Sequence, residues 1–275
     1  MRMKMKNKNK NTLLVGLLCI LLSACSTTKN LPEGEILYTG IDKLEVVNED
    51  KTLAGVTALT EVEAALTYAP NNAILGSSSL RWPIPFGLWV YNGFEKYQDK
   101  KGVGRWIFDH LGTSPVLMSS VNGETRAKVA TNLLRDYGYF NGSVKYEEVP
   151  QKNPKEAKVN YIIDMAQPYF LDSIAYLKYP HYADSLIRST RSQSVLKSGE
   201  NFSVIKLEEE RQRLSNLFRN HGYYYYRPEF TTYRADTLQK SGYVSLQVVP
   251  RNGIPAEAKK QYYIGNTSVY LTGYD

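Results

Sequence analysis

Asn132-Leu133-Leu134-Arg135-Asp136-Tyr137-Gly138-Tyr139-Phe140 recurs 84 positions later as Asn216-Leu217-Phe218-Arg219-Asn220-His221-Gly222-Tyr223-Tyr224, with five of the nine positions identical. Recurrence at a fixed offset marks a duplicated structural unit. Both copies close an amphipathic helix: Val129, Leu133 and Tyr137 are spaced by four in the first, and Leu207, Leu214 and Phe218 share one face of the second. Each glycine stands where a helix C-terminus uses a left-handed residue, and aromatic sequence follows at once. Gly138 and Gly222 are therefore expected to be equivalent helix stops.

Working outward, two strands are expected after each glycine: 143–149 with 158–165, and 225–233 with 243–249. Val159, Tyr161, Ile163 and Met165 alternate with Lys158, Asn160, Ile162 and Asp164, which suits a sheet covered on one face. An opening strand precedes each helical region, at 36–47 and 169–178, and a further helix lies around 61–68 or 183–195. The unit reads β-α-α-β-β, an α+β fold in tandem. The first copy carries about 49 more residues between its opening strand and its glycine, which places an insertion at about 70–118. It holds Trp82, Trp89 and Trp106, with Arg81, Lys96, Lys100, Lys101 and Arg105 around them. Aromatics rimmed by cations suit a membrane interface or a partner groove, and the opposing reading folds the insertion back over its own domain. The expected domains are 36–167 and 168–258, with 259–275 as the opening strand of a third unit.

The chain has 275 residues, 43% of them hydrophobic, enough to build a core. Its 34 basic residues exceed its 27 acidic ones, but Arg2, Lys4, Lys6, Lys8 and Lys10 fall in the first ten positions. Without them the net charge is about +2, so no nucleic-acid surface is implied. Those cations precede an apolar run, Leu13–Leu22, as long as a signal-peptide core and too short to span a bilayer. Next comes Leu22-Ser23-Ala24-Cys25, a lipobox pattern. We therefore expect residues 1–24 to be an export signal, 25–35 a tether and Cys25 the site of acylation. Ser26 after the cysteine suits sorting to the outer membrane, with the mature chain facing the periplasm. Cys19 and Cys25 are the only cysteines, which excludes a disulfide scaffold and a thiolate zinc cluster.

Candidate chemistry is sparse. His110, His181 and His221 have no ligand spacing. Ser203-Val204-Ile205-Lys206 matches S-x-x-K and Lys240-Ser241-Gly242 resembles K-T-G, but S-D-N is absent and Ser203 reads as a helix N-cap. An envelope hydrolase is the remote alternative, and a non-enzyme without cofactor, metal or small-molecule substrate is expected. Glu208-Glu209-Glu210 with Arg211 and Arg213 reads as a solvated helix face. Asn141-Gly142-Ser143 and Asn201-Phe202-Ser203 fit a glycosylation pattern that carries little behind a bacterial lipobox.

A β-α-α-β-β repeat with Gly-Tyr after its second helix, behind a lipobox, resembles the POTRA domains of the BamA/TamA superfamily of outer-membrane assembly proteins, and most nearly its lipidated TamA-like branch. The resemblance is carried by Leu31-Pro32-Glu33-Gly34-Glu35, Leu88-Trp89-Val90-Tyr91-Asn92, Ser114-Pro115-Val116-Leu117-Met118 and the two helix-end motifs. It implies tandem periplasmic POTRA-like domains that serve the assembly or translocation of outer-membrane proteins, usually followed by a transmembrane β-barrel. Residues 259–275 are too few for one, since a single transmembrane strand takes ~9–11 residues. No barrel is expected within this chain.

Pro228 falls within the expected strand 225–233, and proline in a sheet is confined to edges and bulges. That strand is then a free edge able to accept an extended client by main-chain hydrogen bonding. Tyr225, Tyr226, Arg227, Phe230 and Tyr233 are the candidate contacts there, and Trp82 and Trp89 those of the insertion. The expected partners are unfolded outer-membrane proteins or an envelope protein; the alternative is an outer-membrane lipoprotein scaffold that bridges envelope complexes.

Overall fold

In the computed structural model, which describes residues 27–77 and 80–270, the alternation in the third strand is an alternation of burial. Val159, Tyr161 and Ile163 are buried, whereas Ile162 between them is exposed. The opening strand β1 (Leu37–Val47) pairs in parallel with β3 (Glu156–Asp164), and β2 (Ser143–Pro150) pairs antiparallel with β3, giving the order β1-β3-β2. A parallel pair cannot be closed by a tight turn, so the chain between β1 and β3 must cross over. That crossover holds α1 (Leu53–Leu66), α2 (Phe86–Phe94), α3 (Val103–Leu111), the single turn α4 (Met118–Val121) and α5 (Gly123–Asp136).

The arrangement repeats. β4 (Phe170–Tyr176) pairs in parallel with β6 (Tyr243–Pro250), β5 (Thr231–Asp236) pairs antiparallel with β6, and the order is β4-β6-β5. Its crossover is shorter, with α6 (His181–Ser189) and α7 (Val204–Asn220). Leu171, Ile187, Leu214, Phe218, Val244, Leu246 and Val248 form the core beneath this sheet.

Two compact units result. Among the described residues the first consists of those up to Val47, with Thr60–Thr131 and Ser143–Asp164; the second consists of Asn48–Leu59, Asn132–Gly142 and everything from Met165 onward. The helix-end loop of the first repeat thus belongs to the second unit. There Phe140 meets Tyr169 and Phe202, each with ring centroids 5.0 Å apart, and the Tyr139 hydroxyl donates to Asp50 Oδ2 at 2.6 Å.

Both helices stop in the same way. After α5 the Gly138 N–H donates to Arg135 O at 3.0 Å and the Tyr139 N–H to Leu134 O at 2.9 Å; after α7 the Gly222 N–H donates to Arg219 O at 3.1 Å and the Tyr223 N–H to Phe218 O at 3.0 Å. This pair of bonds is the Schellman pattern, which needs a left-handed residue, and Gly138 and Gly222 have φ 90° and 93°. The glycine carbonyls then accept the N–H of Tyr169 at 2.9 Å and of Tyr262 at 2.7 Å.

Several elements differ from the sequence reading. The buried stripe of α5 is Ala127, Ala130 and Leu134, while Val129 is exposed, because small side chains let the helix lie close to its neighbours. The edge strand begins at Thr231 and not at 225, because Pro228 opens a 3-10 turn, Pro228–Phe230, where its missing N–H costs nothing. Glu210, expected in water, is fully buried. It accepts the Tyr176 hydroxyl at 2.5 Å, the Val195 N–H at 3.1 Å, and Arg213 Nη2 and Nε at 2.5 and 2.9 Å. Residues 262–270 form no strand. In both units the opening strand pairs with the last strand of its own unit, and no such strand lies beside this segment among the described residues. The leader, Cys25 and Leu271 lie outside the described residues.

Added Cβ atoms would meet Phe202 O at 2.6 Å from Gly138 and Tyr262 O at 3.0 Å from Gly222. Left-handed φ alone costs an alanine about 1–2 kcal/mol, so both substitutions destabilise in denaturant titrations, and Gly138→Ala costs more. Hydrogen exchange of Gly138→Ala should rise in the second unit, around Phe202. Glu210→Ala should cost about 3–5 kcal/mol, since it leaves Arg213, whose side chain is only 16% exposed, without its counter-charge.

Candidate partner-binding edge

β5 lies at one edge of the second sheet, hydrogen-bonded on one side to β6 from Thr231↔Pro250 to Asp236↔Ser245. Its other side carries no ladder among the described residues. The side chains expected to serve this edge divide into two groups. Tyr226 is buried, its hydroxyl 3.0 Å from Thr231 Oγ1 and its ring edge-on to Phe230 at 5.6 Å. Tyr233 packs against the core, and its hydroxyl donates to Leu207 O at 2.6 Å. Burial, and to a lesser extent the nearby Glu210 carboxylate, raises its pKa well above the usual phenol value, so it is a neutral donor. These three aromatics hold the strand to α7. Tyr225 and Arg227 are exposed, and Tyr225 meets the Tyr262 ring edge-on at 5.2 Å.

Between β5 and α7 runs a groove of about 490 Å³ lined by Glu208, Arg211, Glu229, Thr231, Thr232 and Arg251. Arg211 lies 5.1 Å from the Tyr233 ring centroid and donates from Nη1 to Glu208 Oε2 at 2.9 Å, while its buried Nε has no hydrogen-bond partner. Sequence reasoning grouped Glu208, Glu210, Arg211 and Arg213 as one solvated face. The three-residue spacing within each ion pair was the clue to two faces: Glu208 with Arg211 lines the groove, and Glu210 with Arg213 enters the core. An extended backbone laid along β5 would find unpaired peptide groups beside it and mixed charge above it.

The other candidates are placed as follows. Trp82 and Trp106 are exposed, and Trp89 on α2 is half-buried, with its indole N–H lacking a partner. Ser203 caps α7, accepting the Lys206 N–H at 3.4 Å, and Lys206 Nζ is drawn to Glu200 at 2.5 Å, so the S-x-x-K residues serve a helix start. His110 and His221 each hydrogen-bond the carbonyl four residues before them, at 2.9 and 2.8 Å. Among the described residues no group of three or more His, Cys, Asp or Glu could hold a metal, and no helix is long and apolar enough to cross a membrane.

The sheets β1-β3-β2 and β4-β6-β5, each with its last strand parallel to its first and antiparallel to its second, complete the β-α-α-β-β pattern. This order of elements is the one that the sequence resemblance to POTRA domains implies. No family model matches the chain, and no curated protein sequence matches it. Solved structures similar to it are POTRA domains 3–5 of Haemophilus influenzae BamA, at 11% identity and TM-score 0.38, covering 82% of this chain and 70% of that one. POTRA domains 1–3 of the periplasmic domain of Omp85 from Anabaena match at 12% identity and TM-score 0.32, covering 79% and 62%. The N-terminal domain of Omp85 from Thermosynechococcus elongatus matches at 14% identity and TM-score 0.30, covering 79% and 63%. This chain thus spans less than two thirds of either cyanobacterial structure.

Buried tyrosines make the fold sensitive to alkali. Tyr38 and Tyr176 are both pushed up from 10.0 to about 12, first by burial, and then by Tyr161 for Tyr38 and by the Glu210 hydrogen bond for Tyr176. A folded value above the unfolded one means the native state holds the proton longer. Stability should therefore be independent of these groups below about pH 10 and fall between pH 10 and 12. Denaturant midpoints at pH 8, 10 and 11 check this, with the drop confined to the last interval.

Proposed function

We propose that this chain is a non-enzymatic, outer-membrane-anchored POTRA module of the lipidated TamA-like kind, which receives extended segments of unfolded outer-membrane proteins, or of an envelope partner, along β5. The observation that carries the proposal is the unpaired edge of β5 beside the α7 groove. Main-chain pairing is tolerant of sequence, as a receptor for many barrel precursors requires, and the charged groove adds preference. The twofold use of the β-α-α-β-β unit and the sequence resemblance support the reading. A photo-crosslinker at Thr232 or Arg234, on the edge strand, should capture peptides from nascent barrel strands, while the same group at Gln247 on the central strand should not. Capture only of a folded envelope protein at the edge would favour the bridging scaffold, and equal capture at all three positions would sink edge recognition.

The lipobox supports acylation of Cys25, with several acyl chains anchoring the protein stably where one would not. Cys25→Ser should leave a soluble or unprocessed chain. Unchanged membrane fractionation together with unchanged mass would remove the anchor from the proposal.

A further inference from the structure

The first described residues after Cys25 are fastened to the insertion. Asn92, buried on α2, donates from Nδ2 to Thr27 O at 3.2 Å, and Asn30 Nδ2 donates back to Asn92 O at 3.2 Å. On the same stretch the Thr27 hydroxyl donates to Glu156, and Thr28 Oγ1 accepts from Asn153 Nδ2 at 3.3 Å. The tether therefore does not hang free from residue 27 onward. Cys25 is two residues earlier, and two residues of chain span at most about 7 Å. Whatever holds Cys25 holds α2 close to it.

α2 and α3 form a helical hairpin. Phe108 packs on Tyr91 with ring centroids 5.2 Å apart, and the Thr113 N–H donates to Gly87 O at 2.9 Å. Leu88, Val90 and Asn92 face inward. Large apolar side chains remain outside, among charged ones: Trp82 is 62% exposed, Trp106 55%, Phe86 55% and Val103 74%. Trp106 stacks on His110 at 4.9 Å, and Lys96 and Lys100 lie over the Tyr97 ring at 5.1 and 5.5 Å. Between residues 81 and 111 five Lys and Arg face three Asp and Glu, so the patch is weakly cationic. Exposed indoles on a hairpin that also carries lysines match a headgroup layer, where the ring is half-dehydrated and a cation can meet phosphate.

We propose that this hairpin, with the segment that leads into it, rests on the lipid surface into which Cys25 is acylated, with Trp82 and Trp106 entering the headgroup region. The inference rests on the anchoring proposed above. A lipid surface is the one occupant that the tether keeps permanently within reach.

The test uses full-length protein purified from membranes and reconstituted in phosphatidylethanolamine vesicles containing phosphatidylglycerol, with its mass measured first. In Trp89→Phe protein, lipids brominated in the acyl chains should quench the remaining tryptophan emission, and Trp82→Phe with Trp106→Phe should abolish the quenching when Trp89 is retained. Acylated protein whose emission is unaffected by brominated lipid overturns the hairpin contact and leaves the anchor standing. If the mass shows no acyl chain, the anchor falls and the hairpin is judged by vesicle flotation of the same protein. Binding weakened roughly tenfold by Trp82→Ala with Trp106→Ala then supports it, and absence of binding overturns it. Both tryptophans are more than half exposed, so thermal unfolding of these variants should stay within a few degrees of the parent and separates lost contact from lost fold.

Discussion

A helix that ends on a left-handed glycine turns its last carbonyls toward its own exit and leaves the glycine carbonyl pointing at the chain that comes next. Gly138 offers that carbonyl to Tyr169, the residue before β4, and Gly222 offers it to Tyr262. The bond made by Gly138 sets where β4 enters, and β4 pairs from Phe170 with Tyr243 of the central strand. Each such bond contributes only about 0.5–1.5 kcal/mol net. Its weight lies in geometry, because the register of a parallel pair has no hairpin turn to set it.

Around this frame the polar groups are sorted by burial. Glu210 sits in the second core with every approach occupied by a donor: a phenol, a backbone N–H and a guanidinium. An unpaired carboxylate there would be prohibitive, whereas a fully bonded one fixes the spacing of α7, β4 and the loop that holds Val195. Arg211, one position on, faces the groove by β5 with a donor left unmatched. The same helix therefore supplies a saturated network to the core and an incomplete one beside β5.

The two repeats differ most where the first crosses over. An added helical hairpin leaves tryptophan, phenylalanine and valine in water, and the tether that follows Cys25 is hydrogen-bonded to Asn92 in the last turn of its first helix. In the second unit, with its short crossover, Tyr223 and Tyr226 pack edge-on against Phe218.

The sequence by itself determined the duplication, the β-α-α-β-β order, the alternation along β3 and the two glycines, because these depend on local periodicity and on backbone conformations only certain residues adopt. Pro228, read as a mark of an edge strand, instead opens the turn that precedes β5. What the sequence could not settle was which face of a helix meets what. Val129 looks like a core residue and is exposed, since Ala127 and Ala130 allow the closer approach; Glu210 looks like a surface residue and is buried, since Tyr176 and Val195 arrive from elsewhere in the chain. The groove beside β5 and the clasp of Thr27 by Asn92 likewise join residues distant in sequence. Such pairings depend on crossover lengths and on the volumes of packed side chains, and only the tertiary structure decides them.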